Sequence, residues 1–143
     1  MSIFLGGTGS ANELHDYEEG TWTPTFPNGG SRNVLYATYV KWGRLVFVNF
    51  ELSATQPSPN NSQFQVGGLP FTVHGTGHGF GNIGYVGASS VSAVNLMPLA
   101  VTNGSYIYFH RQDGTSNPWT NNQYRSTQYN QNFIMGHVYE TDA

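Results

Sequence analysis

The stretch Val34–Trp42 reads VLYATYVKW, and residues 45–53 read LVFVNFELS. Both runs are dense in the β-branched and aromatic side chains that are enriched in strands. Gly43 and Arg44 stand between them as a tight turn. Because side chains alternate along a strand, the second run has two distinct faces. One face carries Val46, Val48, Phe50 and Leu52, and the other carries Leu45, Phe47, Asn49 and Glu51. The two runs together predict a β-hairpin.

Short runs of the same kind continue along the chain, separated by Gly, Pro and Asn. Further strands are predicted at residues 63–67, 78–89, 91–101, 105–111 and 133–141. Asn103-Gly104 separates two of them and is the strongest short signal for a hairpin turn. One helical turn is expected within residues 10–19, where Ser10 or Asn12 would cap it. Many short strands at turn-rich spacing favour an all-β fold, an antiparallel β-sandwich of the jelly-roll kind.

The composition is polar but carries little charge. Of the 143 residues, 38% are apolar and 9% are charged, whereas globular chains have about 45–50% and about 25%. Aromatic residues make up 15% of the chain, which argues against disorder because disordered chains are poor in aromatics. The length suits a single domain.

Charge argues against two classes of partner. The net charge is −3, and the Lys and Arg residues are spread from Arg32 to Arg125, with Lys41 as the only lysine. A nucleic-acid-binding protein needs a basic face that displaces counterions from phosphates, so no nucleic-acid partner is expected. No apolar run approaches the roughly 20 residues of a membrane helix, so no membrane insertion is expected either.

The chain has no cysteine. Disulfides, zinc–thiolate sites and thiol nucleophiles are therefore excluded. A small extracellular domain without disulfides needs another source of stability, and oligomerisation is a common one.

Residues 79–84 read GFGNIG and match the dinucleotide-binding pattern G-x-G-x-x-G. That pattern holds a pyrophosphate when a helix follows it, whereas Tyr85-Val86 continue like a strand. Close packing of a glycine-rich strand is the better interpretation, and no cofactor is expected.

His74 and His78 stand four residues apart, the spacing that places two metal ligands on one face of a helix. Glycines at positions 75, 77 and 79 make a helix improbable there. Exposed loop histidines are therefore expected, and no metal site is predicted. Whether His74, His78 or His110 binds an ion in an oligomer stays open.

Signals for catalysis are weak. Glu18 and Glu19 are adjacent, and neighbours on a strand point to opposite faces. Glycoside hydrolysis instead needs two carboxyl groups that flank one bound sugar. No Gly-x-Ser-x-Gly elbow occurs in the chain. The chain is therefore expected to have no enzymatic activity of its own.

Several segments resemble, in order, the landmarks of a domain found at the ends of many bacteriophage tail fibres. Residues 16–24, DYEEGTWTP, resemble its opening, and residues 4–12 resemble the run before that opening. Residues 39–46 look like its first hairpin, and residues 68–72 (GLPFT) like its next landmark. Residues 133–141 look like its closing strand. The chain is thus similar to the receptor-binding tip domain of a tail fibre or tailspike over nearly its whole length.

This resemblance implies a β-sandwich that forms a homotrimer at the distal end of a tail fibre, on the virion and outside the cell. Its partner would be a bacterial cell-surface polysaccharide or lipopolysaccharide to which it attaches the virus. Residues 1–14 would form the neck from the upstream fibre, and residues 15–143 the tip domain. Trp22, in the opening element, is interpreted as structural. For Trp42 a ligand contact, a core position and a trimer seam all stay open.

Two other functions stay open as well. One is a non-catalytic trimerising or carbohydrate-binding cap of a polysaccharide-degrading tailspike whose catalytic part lies elsewhere. The other is a structural tip that folds the fibre and contacts no receptor.

A polar loop at residues 113–125 is the predicted glycan site, since a long loop in a compact domain is usually functional or disordered. Trp119 and Tyr124 offer flat apolar faces for a pyranose ring. Asn121 and Asn122 offer amides that donate and accept hydrogen bonds, as sugar hydroxyls require. The predicted ligand-binding residues are Asp113, Trp119, Asn121, Asn122, Tyr124 and Arg125. A structural role, in which Trp119 and Tyr129 pack against the domain or against a neighbouring chain and so pin the loop, stays equally open.

Overall fold

The computed structural model describes residues 3–4, 13–14, 16–28, 33–53, 62–76, 78–86, 96–111 and 133–142. All regular structure within these ranges is β-strand, so the all-β prediction is confirmed. A search of the same residues finds no helix with the length and apolar character needed to cross a membrane.

The strands are short and separated by turns, as predicted. They are β1 (Ile3–Phe4), β2 (Glu13–Leu14), β3 (Tyr17–Thr21), β4 (Val34–Trp42), β5 (Leu45–Leu52), β6 (Gln65–Gly67), β7 (Phe80–Val86), β8 (Leu96–Ala100), β9 (Tyr106–Arg111) and β10 (Phe133–Glu140). β1 and β2 pair with each other, and the other eight form one antiparallel sheet in the order β3-β4-β5-β10-β7-β8-β9-β6. The predicted strands at residues 63–67, 78–89, 91–101, 105–111 and 133–141 correspond to β6 to β10.

This sheet curls until its two outer strands meet. Thr25, just beyond β3, forms an isolated bridge with Gly67 in β6. The Thr25 N–H donates to the Gly67 carbonyl at 2.9 Å, and the Gly67 N–H donates to the Thr25 carbonyl at 2.8 Å. The expected antiparallel layers are therefore parts of one continuous sheet that wraps around a single core. Joining the edges covers backbone groups that would otherwise be open to pairing.

The predicted hairpin is present as β4 and β5. Trp42 pairs with Leu45 across the turn, where Gly43 has a φ of 59° that favours glycine. The residues assigned to one face are all fully buried: Val46, Val48, Phe50 and Leu52. Phe47, assigned to the other face, is 44% exposed. The period of two therefore identified the core face correctly.

The opening segment DYEEGTWTP has a structural role. The Trp22 side chain is buried, and its ring meets the Phe50 ring edge to face with centroids 5.7 Å apart. Lys41 is also buried and donates from Nζ to Asp16 Oδ2, and its Nζ lies 5.6 Å from the centroid of the Phe71 ring. The structural interpretation of Trp22 is confirmed.

The GLPFT landmark is held by the last strand. The Tyr139 hydroxyl donates to the Phe71 carbonyl at 3.1 Å and accepts from the Phe71 N–H at 3.3 Å. The Phe71 ring also meets the Tyr39 ring edge to face at 5.5 Å. Segments far apart in the sequence are thus joined through buried Tyr139 and the partly buried rings of Phe71 and Tyr39.

The helical turn expected within residues 10–19 is wrong where the structure describes this stretch. Residues 13–14 lie in β2, and residues 17–19 lie in β3. β3 pairs with β4 from Tyr17 opposite Trp42 to Thr21 opposite Thr38. This pairing satisfies backbone groups that a single helical turn would leave unpaired, so it outweighs a local capping signal.

The turn at Asn103-Gly104 is present between β8 and β9, as predicted. Asn103 has a φ of 55°, in the left-handed region that Asn adopts more readily than most residues. The Gly104 N–H donates to the Val101 carbonyl at 2.9 Å, which closes the turn.

The glycine-rich residues 79–84 run into strand β7 and do not form a phosphate loop, as predicted. A Cβ atom on Gly79 would lie 2.5 Å from His137 Nε2, and one on Gly81 would lie 2.6 Å from the Gly136 carbonyl oxygen. The His137 ring therefore occupies the space that side chains at these two glycines would need. Close packing is confirmed at Gly79 and Gly81.

His137 itself is fully buried, which no local pattern indicated. Neither ring nitrogen has a hydrogen-bond partner among the groups that the structure describes. Because burial penalises the charged form, it lowers the pKa of His137 to about 4. The ring is therefore neutral at pH 7.

Candidate functional site

The residues of the predicted loop site lie outside the described residues. They are Asp113, Trp119, Asn121, Asn122, Tyr124 and Arg125. A glycan site in this loop therefore stays a prediction.

Glu18 and Glu19 accept hydrogen bonds from two different tyrosines. The Tyr39 hydroxyl donates to Glu18 Oε1 at 2.5 Å, and the Tyr17 hydroxyl donates to Glu19 Oε2 at 2.5 Å. Each hydrogen bond raises the pKa of its tyrosine, because a phenolate beside a carboxylate is unfavourable. The two carboxylates have separate partners on opposite faces of β3, so they do not flank a common ligand.

The histidines that were considered as ligands have ordinary partners. His74 Nε2 lies 3.2 Å from Asp142 Oδ1, and the Thr76 N–H donates to His74 Nδ1 at 3.3 Å. His78 Nδ1 lies 3.3 Å from the Ala100 carbonyl oxygen. Across the described ranges, no three His, Cys, Asp or Glu side chains lie close enough together to hold a metal ion.

The outer face of the curled sheet carries a large amount of exposed apolar surface. Trp42 is 52% exposed and pairs directly with Leu45, which is 50% exposed. Trp42 is therefore not a core residue, whereas a ligand contact and a trimer seam both stay open for it. Large exposed apolar patches on a sheet mark interaction sites.

Beside this pair, a row of directly opposed residues crosses four neighbouring strands. We name it the outer row: Val40 in β4, Phe47 in β5, Val138 in β10 and Phe80 in β7. Directly opposed side chains lie about 4.5–5.5 Å apart at Cβ, so these four form a continuous surface. Phe80 is 73% exposed, the largest exposed fraction among the described large apolar residues.

An open groove of about 530 Å³ lies along the outer row, on β5, β10 and β7. We call it the Phe47–Phe80 groove. Its volume falls within the roughly 300–1,000 Å³ of typical ligand pockets. The two rings share the lining with Met135, three glycines and four further side chains, namely Asn49, Asn82, Ile134 and Val138. It is a candidate binding site that the sequence-based prediction did not include.

Two glycines shape this groove. A Cβ atom on Gly136 would lie 3.3 Å from Phe47 Cζ, so the Phe47 ring lies directly over this glycine. The register between β10 and β7 shifts next to Ile134, which leaves Gly84 as the extra residue of a β-bulge. Bulges increase the local twist and redirect side chains, and they are frequent beside binding sites.

The polar groups of the groove are amides. Asn49 and Asn82 both line it, and within the described part of the chain neither side chain has a hydrogen-bond partner. An amide both donates and accepts, as hydroxyl-rich ligands require. None of the lining side chains that the structure describes is charged. The arrangement suits an uncharged ligand that has hydroxyl groups and one apolar face.

Part of the groove had a signal in the sequence. The strand period places Phe47 and Asn49 on the face opposite the core, and an aromatic side chain on an exposed face is a signal for an interaction surface. Phe80 and Ile134 join them because β10 pairs with both β5 and β7. No local sequence pattern indicates that pairing, so the sequence-based prediction did not include the groove.

No family model and no curated protein sequence matches this chain. Among solved structures, the crystal structure of the Dettilon tailspike protein (gp208) matches with a TM-score of 0.66 at 14% sequence identity. The match covers 87% of this chain and 24% of the other, so the chain spans about a quarter of that tailspike's length. At this identity the likeness shows a shared fold.

Proposed function

We propose that this chain is a domain of a bacteriophage tail protein, at the distal end of the tail, that attaches the virion to glycans on the bacterial cell surface. Its fold is similar to part of a phage tailspike, and its sequence segments resemble, in order, the landmarks of tail-fibre tip domains. The observation that supports binding is the Phe47–Phe80 groove, with its exposed rings and unpartnered amides.

The groove matches the chemistry of a sugar ring. The exposed ring of Phe80 offers a flat apolar surface to the C–H face of a pyranose. Asn49 and Asn82 stand beside it with groups that match hydroxyls. A single open site of this kind binds weakly. Several copies on one virion raise the overall affinity through effective concentration.

Phe80→Ala is expected to weaken binding to a bacterial polysaccharide about tenfold, since aromatic anchors at binding sites commonly contribute more than 1 kcal/mol. The measurement is biolayer interferometry of the chain against immobilised lipopolysaccharides and capsular polysaccharides from a panel of strains. The unaltered chain first identifies the polysaccharide that it binds.

Leu35→Ala is the matched control, because Leu35 is 49% exposed and does not line the groove. It is expected to bind like the unaltered chain. Trp119→Ala tests the predicted loop in the same assay. Unchanged binding by Phe80→Ala would exclude the groove, and a loss confined to Trp119→Ala would assign the site to the loop.

We also propose that the chain forms a homotrimer. The adjacent exposed side chains of Trp42 and Leu45 support a contact between copies at the end of the β4–β5 hairpin. A mass of three times 15.7 kDa is expected in sedimentation equilibrium. Replacing both residues by serine is expected to give the single-chain mass with unchanged circular dichroism. A monomeric unaltered chain would contradict the trimer.

A second candidate function is favoured by the extent of the structural match. Because the chain spans about a quarter of the matched tailspike, it is equally suited to be a non-catalytic cap of a longer tailspike. We propose that the chain has no enzymatic activity in either case. Incubation with the polysaccharide that it binds is expected to release no oligosaccharides, and their release would show that the chain is itself an enzyme.

A further inference from the structure

Among the described residues, the Phe47–Phe80 groove has no group that would hold an anion. None of the described side chains that line it is charged. Glu51, which lies directly opposite Ile134 on the same face, is an acid next to the groove. The net charge of the chain is also negative, at −3. A carboxylate or phosphate on a ligand would therefore gain no ion pair in the groove and would be repelled overall.

The basic side chains of the hairpin that carries Phe47 are already engaged. Lys41 is buried on the other face of the sheet and pairs with Asp16. Arg44 lies 3.6 Å from Glu140 through its guanidinium and donates from Nε to a backbone carbonyl. Neither cation lines the groove.

The apolar part of the groove is larger than the face of one aromatic ring. Ile134 and Val138 line the groove together with the two rings, so a sugar ring placed on Phe80 or Phe47 would lie near aliphatic side chains. A hydroxyl held against these aliphatic groups would lose its hydrogen bonds to water without replacement, which is unfavourable. A methyl group in the same place would be removed from water favourably.

We infer that the Phe47–Phe80 groove takes an uncharged sugar unit that carries a methyl group. The inference rests on the glycan-binding function proposed above and names the class of sugar. The shared chemistry is a methyl substituent on a neutral pyranose. It is present both in the acetamido group of N-acetylated amino sugars and at C6 of 6-deoxyhexoses.

Matched methyl glycosides test this inference on the 143-residue chain. The probes are methyl N-acetylglucosaminide, methyl glucoside and methyl glucuronide, together with methyl L-fucoside and methyl L-galactoside. Binding is followed by the NMR shifts of the Ile134 and Val138 methyl groups, which report the groove directly. All five probes share the methyl group on O1, so the methyl-bearing probes are those with an additional one, the N-acetylglucosaminide and the fucoside. At least one methyl-bearing probe is expected to bind about fourfold more tightly than its partner, the effect of removing one methyl group from water. The glucuronide is expected to give no saturable shift.

The two pairs separate the two sources of the methyl group. An advantage of the glucosaminide alone indicates an acetamido group, and an advantage of the fucoside alone indicates a 6-deoxy sugar. Ile134→Thr is expected to remove the tighter binding of the methyl-bearing probe and to leave the binding of its partner glycoside unchanged. Val40→Thr, on the outer row but outside the lining, is expected to retain it.

The inference is overturned if the glucuronide binds as tightly as the glucoside, if neither methyl-bearing probe is favoured, or if no probe shifts the groove methyl groups. These outcomes do not contradict the proposed function. That function is tested by polysaccharide binding of the unaltered chain and by its loss in Phe80→Ala, and neither result depends on which sugar is preferred.

Discussion

Lowering the pH from 7 to 4 is expected to reduce the free energy of unfolding by about 3 kcal/mol through His137 alone. The pKa of His137 is about 4 in the folded chain and near 6.5 in the unfolded chain. Above pH 6.5 neither the folded nor the unfolded state binds the proton, so the contribution of His137 to the free energy of unfolding is fully present. Between pH 6.5 and 4 only the unfolded state binds it, so stability falls as the pH falls.

Within the described part of the chain, the surroundings of His137 offer no compensation for a positive charge. Gly81 and Val48 lie opposite it on the neighbouring strands β7 and β5. The Tyr139 ring is next along β10, with ring centroids 6.5 Å apart. Burial raises the pKa of Tyr139, so its hydroxyl stays protonated and uncharged over this range. Burial alone accounts for the low pKa of His137.

Urea unfolding of the unaltered chain and of His137→Leu at pH 7, 6, 5 and 4 measures this effect. Every other ionisable group is present in both proteins, so the difference between the two profiles isolates His137. Parallel profiles would contradict the prediction. An NMR titration of the His137 ring provides a check that does not depend on the variant folding, and a pKa near 6.5 would exclude the mechanism.

Gly81→Ala is expected to lower the free energy of unfolding by about 3 kcal/mol, at the upper end of the usual effect of overpacking. The added Cβ atom would lie 2.6 Å from the Gly136 carbonyl oxygen and would also collide with the His137 ring. Both obstacles belong to the neighbouring strand β10, where the paired backbone cannot shift without breaking the ladder. Thermal or urea unfolding measures the loss.

Gly84→Ala is the matched control on the same strand. A Cβ atom there would lie 3.7 Å from its nearest neighbour, the Ile134 carbonyl oxygen, which is ordinary contact. Its stability is expected to stay within about 1 kcal/mol of that of the unaltered chain. Equal losses in the two variants would show that close approach to His137 is not what requires glycine at position 81.

Predictions from the sequence were most accurate where the responsible residues are neighbours. The period of two in β5 identified its buried face, and Asn103-Gly104 identified a turn. They were wrong at residues 13–14 and 17–19, where strand pairing replaces the expected helical turn. The groove combines Phe47 with Phe80 and Ile134, and these residues are distant along the chain, so no window of sequence contains the site.

By itself the sequence determined the all-β class, the β4–β5 hairpin and the glycine-rich character of β7, because these depend on side-chain alternation and turn chemistry over a few residues. Only the tertiary structure decided that β10 lies between β5 and β7. That placement buries His137 against Gly79 and Gly81, and on the opposite face it brings Phe47 and Phe80 together. The physical reason is that the pairing of distant strands is set by how the whole core fills, and no local preference reports it.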